Sequence, residues 1–396
     1  MSKLNKIFFG PAGTGKTRQA TIEAVKMVSQ SSKIDFKFDE IEKEKDYDRI
    51  EEEFKSFSET PLLNINSKDI MKEIRDTPSD RIEKIVNNED YEGRLKYLTK
   101  NNRFDAIEVK KKILEYKIFP FIEIVTFHPS YSYQDFVEGI TVETKETENG
   151  NEITYVVKDG IFKKICERAE SNQDYNYVLI IDEINRGDIS SIFGELFTLI
   201  EDDKRDGALR VNLPYSKNED TGNPKKLVVP KNLYILATMN TVDKSIALID
   251  VALRRRFDFE ECMPQCNLEE FKKCKIVDLS KLLSTLNERI SILKNEHYQI
   301  GHSYFLNITK IEELQDVMEK SILPLLQEYF YDDWKSICAV LNQSYSNPKE
   351  NKILISQQEN KNLFKSEFND LTEYQNKKIF KLNPKLSAQD IKFIYE

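Results

Sequence analysis

The segment Gly10-Pro11-Ala12-Gly13-Thr14-Gly15-Lys16-Thr17 constrains the fold of this chain more than any other stretch. It satisfies the pattern G-x-x-x-x-G-K-[ST] and stands between an apolar run, Lys6 to Gly10, and a helical stretch from Lys16 to about Ser29. Strand, glycine-rich loop and helix in that order converge backbone N–H groups and a helix N-terminus on a phosphate. Lys16 is expected to reach the β and γ oxygens of a nucleotide and the Thr17 hydroxyl to coordinate Mg²⁺, while Gly10, Pro11, Ala12, Gly13, Thr14 and Gly15 form the cradle.

Further strands alternate with helices. Apolar runs at Phe121–Thr126, Tyr177–Ile181 and Leu233–Thr238 read as strands, and the unbroken β-branched character of the second suits burial on both faces. Helices are expected over Ile161–Ala169 and Ser190–Glu201, and a hairpin over Thr141–Thr144 and Ile153–Val157 about Asn149-Gly150. Such alternation implies an α/β class with a parallel, doubly wound sheet. At 396 residues the chain has room for about two or three domains. The expected division is a nucleotide-binding core over 1–262, interrupted by a charge-dense helical insertion over 30–117, then a helical lid over 263–346. Leu282, Leu286 and Ile290, and later Ile322, Leu325 and Leu326, mark apolar faces in the lid, whereas 347–396 is a polar extension without an assigned role.

Three more segments carry chemistry. Asp182-Glu183 follows the buried strand, where ligands of open α/β sheets gather: Asp182 would hold Mg²⁺ and Glu183 would polarise an attacking water. Asn240, within Thr238-Met239-Asn240-Thr241-Val242-Asp243, ends another such strand and is a candidate for orienting that water or touching the γ-phosphate. Arg254-Arg255-Arg256 closes the next helix, where it could serve a neighbouring subunit's nucleotide or simply suit the helix dipole.

Composition excludes other classes. A net charge of −9 argues against coating nucleic acid by bulk electrostatics, so any DNA contact is local or indirect. No apolar stretch has the length of a membrane span, and the start shows no signal-peptide pattern, so a cytoplasmic location without membrane contact is expected. Cys262, Cys266 and Cys274 lack a fourth ligand for zinc, and His128, His297 and His302 are too scattered for a metal site. Glu143-x-Lys145 has the spacing of a nuclease half-motif but reads as chance in an exposed hairpin, and Lys110-Lys111-Lys112 reads as solvated helix.

Asp182-Glu183-Ile184-Asn185-Arg186, Met239 to Ser245 and Ala252-Leu253-Arg254-Arg255-Arg256-Phe257 resemble signature segments of the McrB family of AAA+ proteins. Phe127 to Phe136, Ile300 to Phe305 and Pro324 to Phe330 are similar to its second-strand and lid segments. The resemblance implies an AAA+ nucleotide hydrolase that prefers GTP to ATP, assembles into hexameric rings, and drives DNA translocation with a McrC-like nuclease partner in restriction or phage defence. It carries Asn240 and Asp243 onto the family's Asn-Thr-x-Asp motif, and Arg186 with Arg254, Arg255 and Arg256 onto arginines near the subunit junction. The base preference, GTP or ATP, stays open in the residues themselves. Two other readings are a MoxR-like ATPase that remodels proteins and a slow nucleotide-dependent binding switch. The modified-cytosine domain that precedes the motor in well-known members has no counterpart before Lys6, so DNA recognition is expected in the insertion, the extension or a partner.

Overall fold

The computed structural model describes residues 4–29, 121–147, 150–217, 222–242, 251–356 and 378–396. The expected insertion over 30–117, Asn149 of the hairpin turn and Asp243 lie outside the described residues. The chain divides into two compact units. One holds Met1–Phe8, Thr17–Met239 and Lys244–Glu260; the other holds Phe9–Lys16, Asn240–Asp243 and Glu261–Glu396.

Strands β1 (Asn5–Gly10), β2 (Ile122–Thr126), β5 (Tyr177–Asp182), β8 (Leu233–Asn240) and β9 (Asp258–Glu261) form a five-stranded sheet in the order β2-β5-β8-β1-β9. Strand β5 pairs in parallel with β2 and with β8, in a register that sets Thr126 beside Asp182 and Ile181 beside Ala237. Residues 177–181 are therefore buried on both faces, as an unbroken apolar strand requires. The helix Lys16–Ser29 buries Ala20, Ala24, Val25 and Val28, one stripe at helical spacing, and Ile161–Ser171 buries Phe162, Ile165, Cys166 and Ala169 in the same way. The α/β core anticipated from the sequence is present.

Two hairpins project from this unit. β3 (Glu138–Thr147) pairs with β4 (Gly150–Asp159), and β6 (Val211–Lys217) pairs with β7 (Pro224–Leu227). The first extends beyond the expected span and turns one apolar face outward: Ile140, Val142, Ile153, Tyr155 and Val157 are all exposed. Its base is fixed by Glu138, which is fully buried. Glu138 Oε1 accepts from the backbone N–H groups of Tyr215 (2.8 Å) and Ser216 (3.0 Å), and Oε2 from the Ser216 hydroxyl and Lys163 Nζ (2.9 Å). Lys163, itself buried, also meets Asp159 at 2.5 Å. Burial pushes the Glu138 carboxyl upward, but the bonds from Ser216, Lys163 and the two N–H groups outweigh it and hold the group below its ordinary 4.5.

A folded-state pKa lowered in this way stabilises above the ordinary carboxylate range and is lost as pH falls through the lowered value. Glu138→Gln is expected to cost about 3 kcal/mol, because Lys163 loses one buried counter-charge and keeps only Asp159. Thermal melts near neutral pH check this: a midpoint lower by roughly 6–12 °C, with the difference shrinking in acid, is the expected outcome.

The helix anticipated over Ser190–Glu201 is interrupted. It runs as Ile189–Phe193 and Leu196–Leu199, broken at Gly194, whose φ of +50° leaves the helical region. The Tyr133 ring lies 3.3 Å from where a Cβ on Gly194 would sit, so a bulky residue here would meet both strain and an obstacle. Below the break, Arg205 is buried and donates to Asn5 Oδ1 (2.6 Å) and to the carbonyls of Ile200, Pro230 (3.1 Å) and Leu233. Burial draws its pKa down to about 10, so it remains charged at neutral pH.

In the second unit, the helix Leu279–Leu293 buries Leu279, Leu282, Leu283, Leu286 and Ile290 against the helices Ile311–Val317, Leu323–Phe330 and Trp334–Val340. The described parts of the polar extension join the same core. Strands β10 (Leu354–Ser356) and β11 (Phe380–Leu382) pair antiparallel, and Ile353, Leu354, Phe380, Leu382, Leu386, Ile391 and Ile394 are buried in the cluster. Among the described residues no helix is long and apolar enough to cross a membrane.

Candidate functional site

In the α/β unit the acidic strand end is organised around one oxygen. Asp182 Oδ1 accepts from the Thr17 hydroxyl at 2.9 Å and from the Thr238 hydroxyl at 2.5 Å. Thr238 is buried in β8, and its Oγ1 in turn accepts the backbone N–H of Glu183 at 3.1 Å. The backbone carbonyl of Asp182 accepts from Phe127 N at 3.0 Å, beyond the end of the β2 ladder. One threonine therefore fixes both members of the acidic pair. Glu183 has φ +52° and ψ +46°, the left-handed region that costs a β-carbon-bearing residue on the order of 1 kcal/mol. The turn it makes ends β5 and starts a short 3-10 segment, Ile184–Arg186, in which Arg186 Nε lies 3.5 Å from Glu183 Oε2.

The three consecutive arginines are not equivalent. Arg256 is largely covered: it meets Glu201 at 2.6 Å, its guanidinium lies 4.6 Å from the centre of the Phe197 ring, and its carbonyl accepts from Asn5 at 2.9 Å. Arg254 and Arg255 are exposed, with Arg254 5.5 Å from the centre of the Phe259 ring.

In the second unit the phosphate loop adopts the backbone its glycines permit. Gly13 and Gly15 have φ of +76° and +75°. A Cβ on Gly10 would lie 2.3 Å from the carbonyl oxygen of Cys262, whose N–H bonds Phe9 O at 2.7 Å. Lys16 Nζ donates to the carbonyls of Gly10 (3.1 Å) and Pro11 (2.6 Å), and Thr14 Oγ1 donates to Pro11 O at 3.0 Å. Asn240 ends β8, and the next residue, Thr241, donates its N–H to Gly10 O at 3.1 Å, so the strand end is stitched to the start of the loop.

A family model of the AAA domain, dynein-related subfamily, matches residues 118–257, and one of the McrB alpha-helical lid domain matches residues 278–338. The chain is 36% identical over 230 residues to the type IV methyl-directed restriction enzyme EcoKMcrB subunit of Escherichia coli strain K12. The chain is an McrB-type AAA+ protein. It is also 29% identical over 244 residues to the type II restriction enzyme BsuMI component YdiS of Bacillus subtilis strain 168. These matches cover 54% and 52% of this chain, and 48% and 68% of the respective relatives, so it spans about half the length of the first.

In this McrB-type chain the phosphate loop lies outside both matched spans and is carried by its own motif and geometry. The structure brings Thr17 and Asp182 together and adds a residue that the sequence reading passed over, Thr238. It was visible only as the residue before Met239-Asn240 in a buried strand. A second missed residue is Asn287, a buried polar side chain on the apolar stripe of the helix Leu279–Leu293. Its Nδ2 donates to Ile300 O at 3.0 Å and its Oδ1 accepts from Ile300 N at 2.7 Å. A lone Asn among Leu282, Leu283, Leu286 and Ile290 was the available signal.

Proposed function

We propose that this chain hydrolyses a nucleoside triphosphate, GTP in preference to ATP, and works as the motor subunit of an McrBC-like restriction complex. The observation that carries the reading is the hydrogen-bonded set Thr17–Asp182–Thr238 with Glu183 beside it, next in sequence to a complete phosphate loop. A hydroxyl and a carboxylate oxygen 2.9 Å apart are the donor set that Mg²⁺ takes from protein when phosphates and water complete its shell. When bound, that ion would neutralise charge on the β and γ oxygens.

The chain's own groups supply the rest. Backbone N–H groups of residues 13–17 cradle the phosphates, and Lys16 exchanges its bonds to Gly10 O and Pro11 O for phosphate oxygens. Glu183, held by the left-handed turn and by Thr238, accepts a proton from the attacking water, and Asn240 orients that water. Arg254 and Arg255 are exposed whereas Arg256 is largely covered by Glu201 and Phe197, and that exposure favours Arg254 or Arg255 as the group offered to a neighbouring subunit in a ring. A McrC-like nuclease subunit is the expected partner, with DNA engaged through the complex.

The test is phosphate release from ATP and GTP in parallel, at several protein concentrations, with and without the product of an adjacent nuclease-like gene. GTP-preferring turnover that rises with protein concentration and with the partner is the expected result. Turnover of ATP alone, indifferent to that partner, would replace the restriction motor with a remodelling ATPase.

A further inference from the structure

The segment Gly301-His302-Ser303-Tyr304 packs directly on the first half of the phosphate loop, inside the same compact unit. A Cβ on Gly301 would fall 2.1 Å from the Gly13 carbonyl carbon and 2.3 Å from Ala12 O, so only glycine permits the approach. Ser303 N donates to Gly13 O at 3.0 Å, and the Tyr304 ring lies 2.9 Å from the position of a Cβ on Gly13. The segment is held from behind by Asn287, whose amide grips both backbone groups of Ile300. It is therefore a rigid strap, anchored on one helix and seated on the loop.

His302 is the side chain this strap carries to the loop. Its Nδ1 accepts the backbone N–H of Gln265 at 3.2 Å, and a neutral ring that accepts at Nδ1 carries its proton on Nε2. Nε2 lies 3.9 Å from where a Cβ on Gly15 would sit, at the half of the cradle whose N–H groups converge on phosphate. We infer that His302 donates from Nε2 to the phosphate chain of the bound nucleotide, making it a binding residue. This inference rests on the nucleotide-binding reading above. His302 lies within Ile300 to Phe305, the lid-like segment noted above, but it stands far in the chain from Gly15, and local pattern does not bring the two together.

The experiment is equilibrium binding of fluorescent GTP and ATP analogues to the full chain and to Lys16→Ala, His302→Ala, His302→Gln and His302→Asn variants, with thermal melts confirming that each folds. A Gln amide places a donor where Nε2 stands, whereas an Asn amide retains only an acceptor near Nδ1. Wild-type binding that is lost in Lys16→Ala establishes the underlying reading. Affinity reduced about tenfold or more in His302→Ala and His302→Asn, and restored to within about threefold by His302→Gln, is the expected result. Wild-type affinity in His302→Ala, or restoration by Asn instead of Gln, overturns the role of His302 and leaves the nucleotide reading standing. Absence of nucleotide binding by the wild-type chain overturns both.

Discussion

Glu183→Gln is expected to lower nucleoside triphosphate turnover by about 10²–10⁴-fold while leaving nucleotide affinity within about threefold of wild type. The amide is nearly isosteric and stays on the same backbone, held by the Glu183 N–H to Thr238 bond, but it cannot accept a proton from water. Binding, which the proposed function assigns to the loop, Lys16 and Thr17, is expected to be untouched by this change. Lys16→Ala provides the contrast, with binding itself lost. Phosphate release and analogue binding measured side by side separate the two. Unchanged turnover in Glu183→Gln would remove Glu183 from the chemistry and shift attention to Asn240.

Arg205→Ala is the substitution expected to cost most in stability, about 5 kcal/mol. It strips donors from Asn5 and from the Ile200, Pro230 and Leu233 carbonyls together, leaving those oxygens facing a cavity too enclosed for free hydration. A melting midpoint lowered by roughly 10–20 °C is the expected measurement. Arg205→Lys, which can serve only some of those acceptors, should fall between. A midpoint within a few degrees of wild type in Arg205→Ala would show that water or neighbouring donors replace the guanidinium.

The parts of the fold and site that could be read from the sequence are those written in local pattern. The phosphate loop is a contiguous octapeptide, β5 is an unbroken apolar run ending in Asp182-Glu183, and the α/β alternation follows from period and punctuation. What escaped depends on residues far apart in the chain. Thr238 meets Asp182 across 56 positions, Glu138 meets Ser216 across 78, and Arg205 meets Asn5 across 200, and none of these pairings leaves a mark on its neighbours in sequence. The extension was obscured for a different reason. Ile353, Leu354, Phe380, Leu382, Leu386, Ile391 and Ile394 are sparse in a polar background, yet short antiparallel strands and a closing helix suffice to collect them into one core. The Gly194 break illustrates the limit of periodicity, which reports the buried face of a helix and is blind to a single residue leaving the helical backbone.

The left-handed backbone at Glu183 has a consequence for how such chains change over time. Glycine or asparagine would occupy that conformation at less cost, so selection for stability alone pulls this position away from glutamate by on the order of 1 kcal/mol. On the proposed role of Glu183, a continuing need for turnover is what holds it in place. A descendant that came to use nucleotide as a static clamp would be free to accept Gly or Asn here and would become slightly sturdier as it fell silent. If Glu183 acts as proposed, the residue found at this single position in a related chain is a readable record of whether its lineage still hydrolyses what it binds.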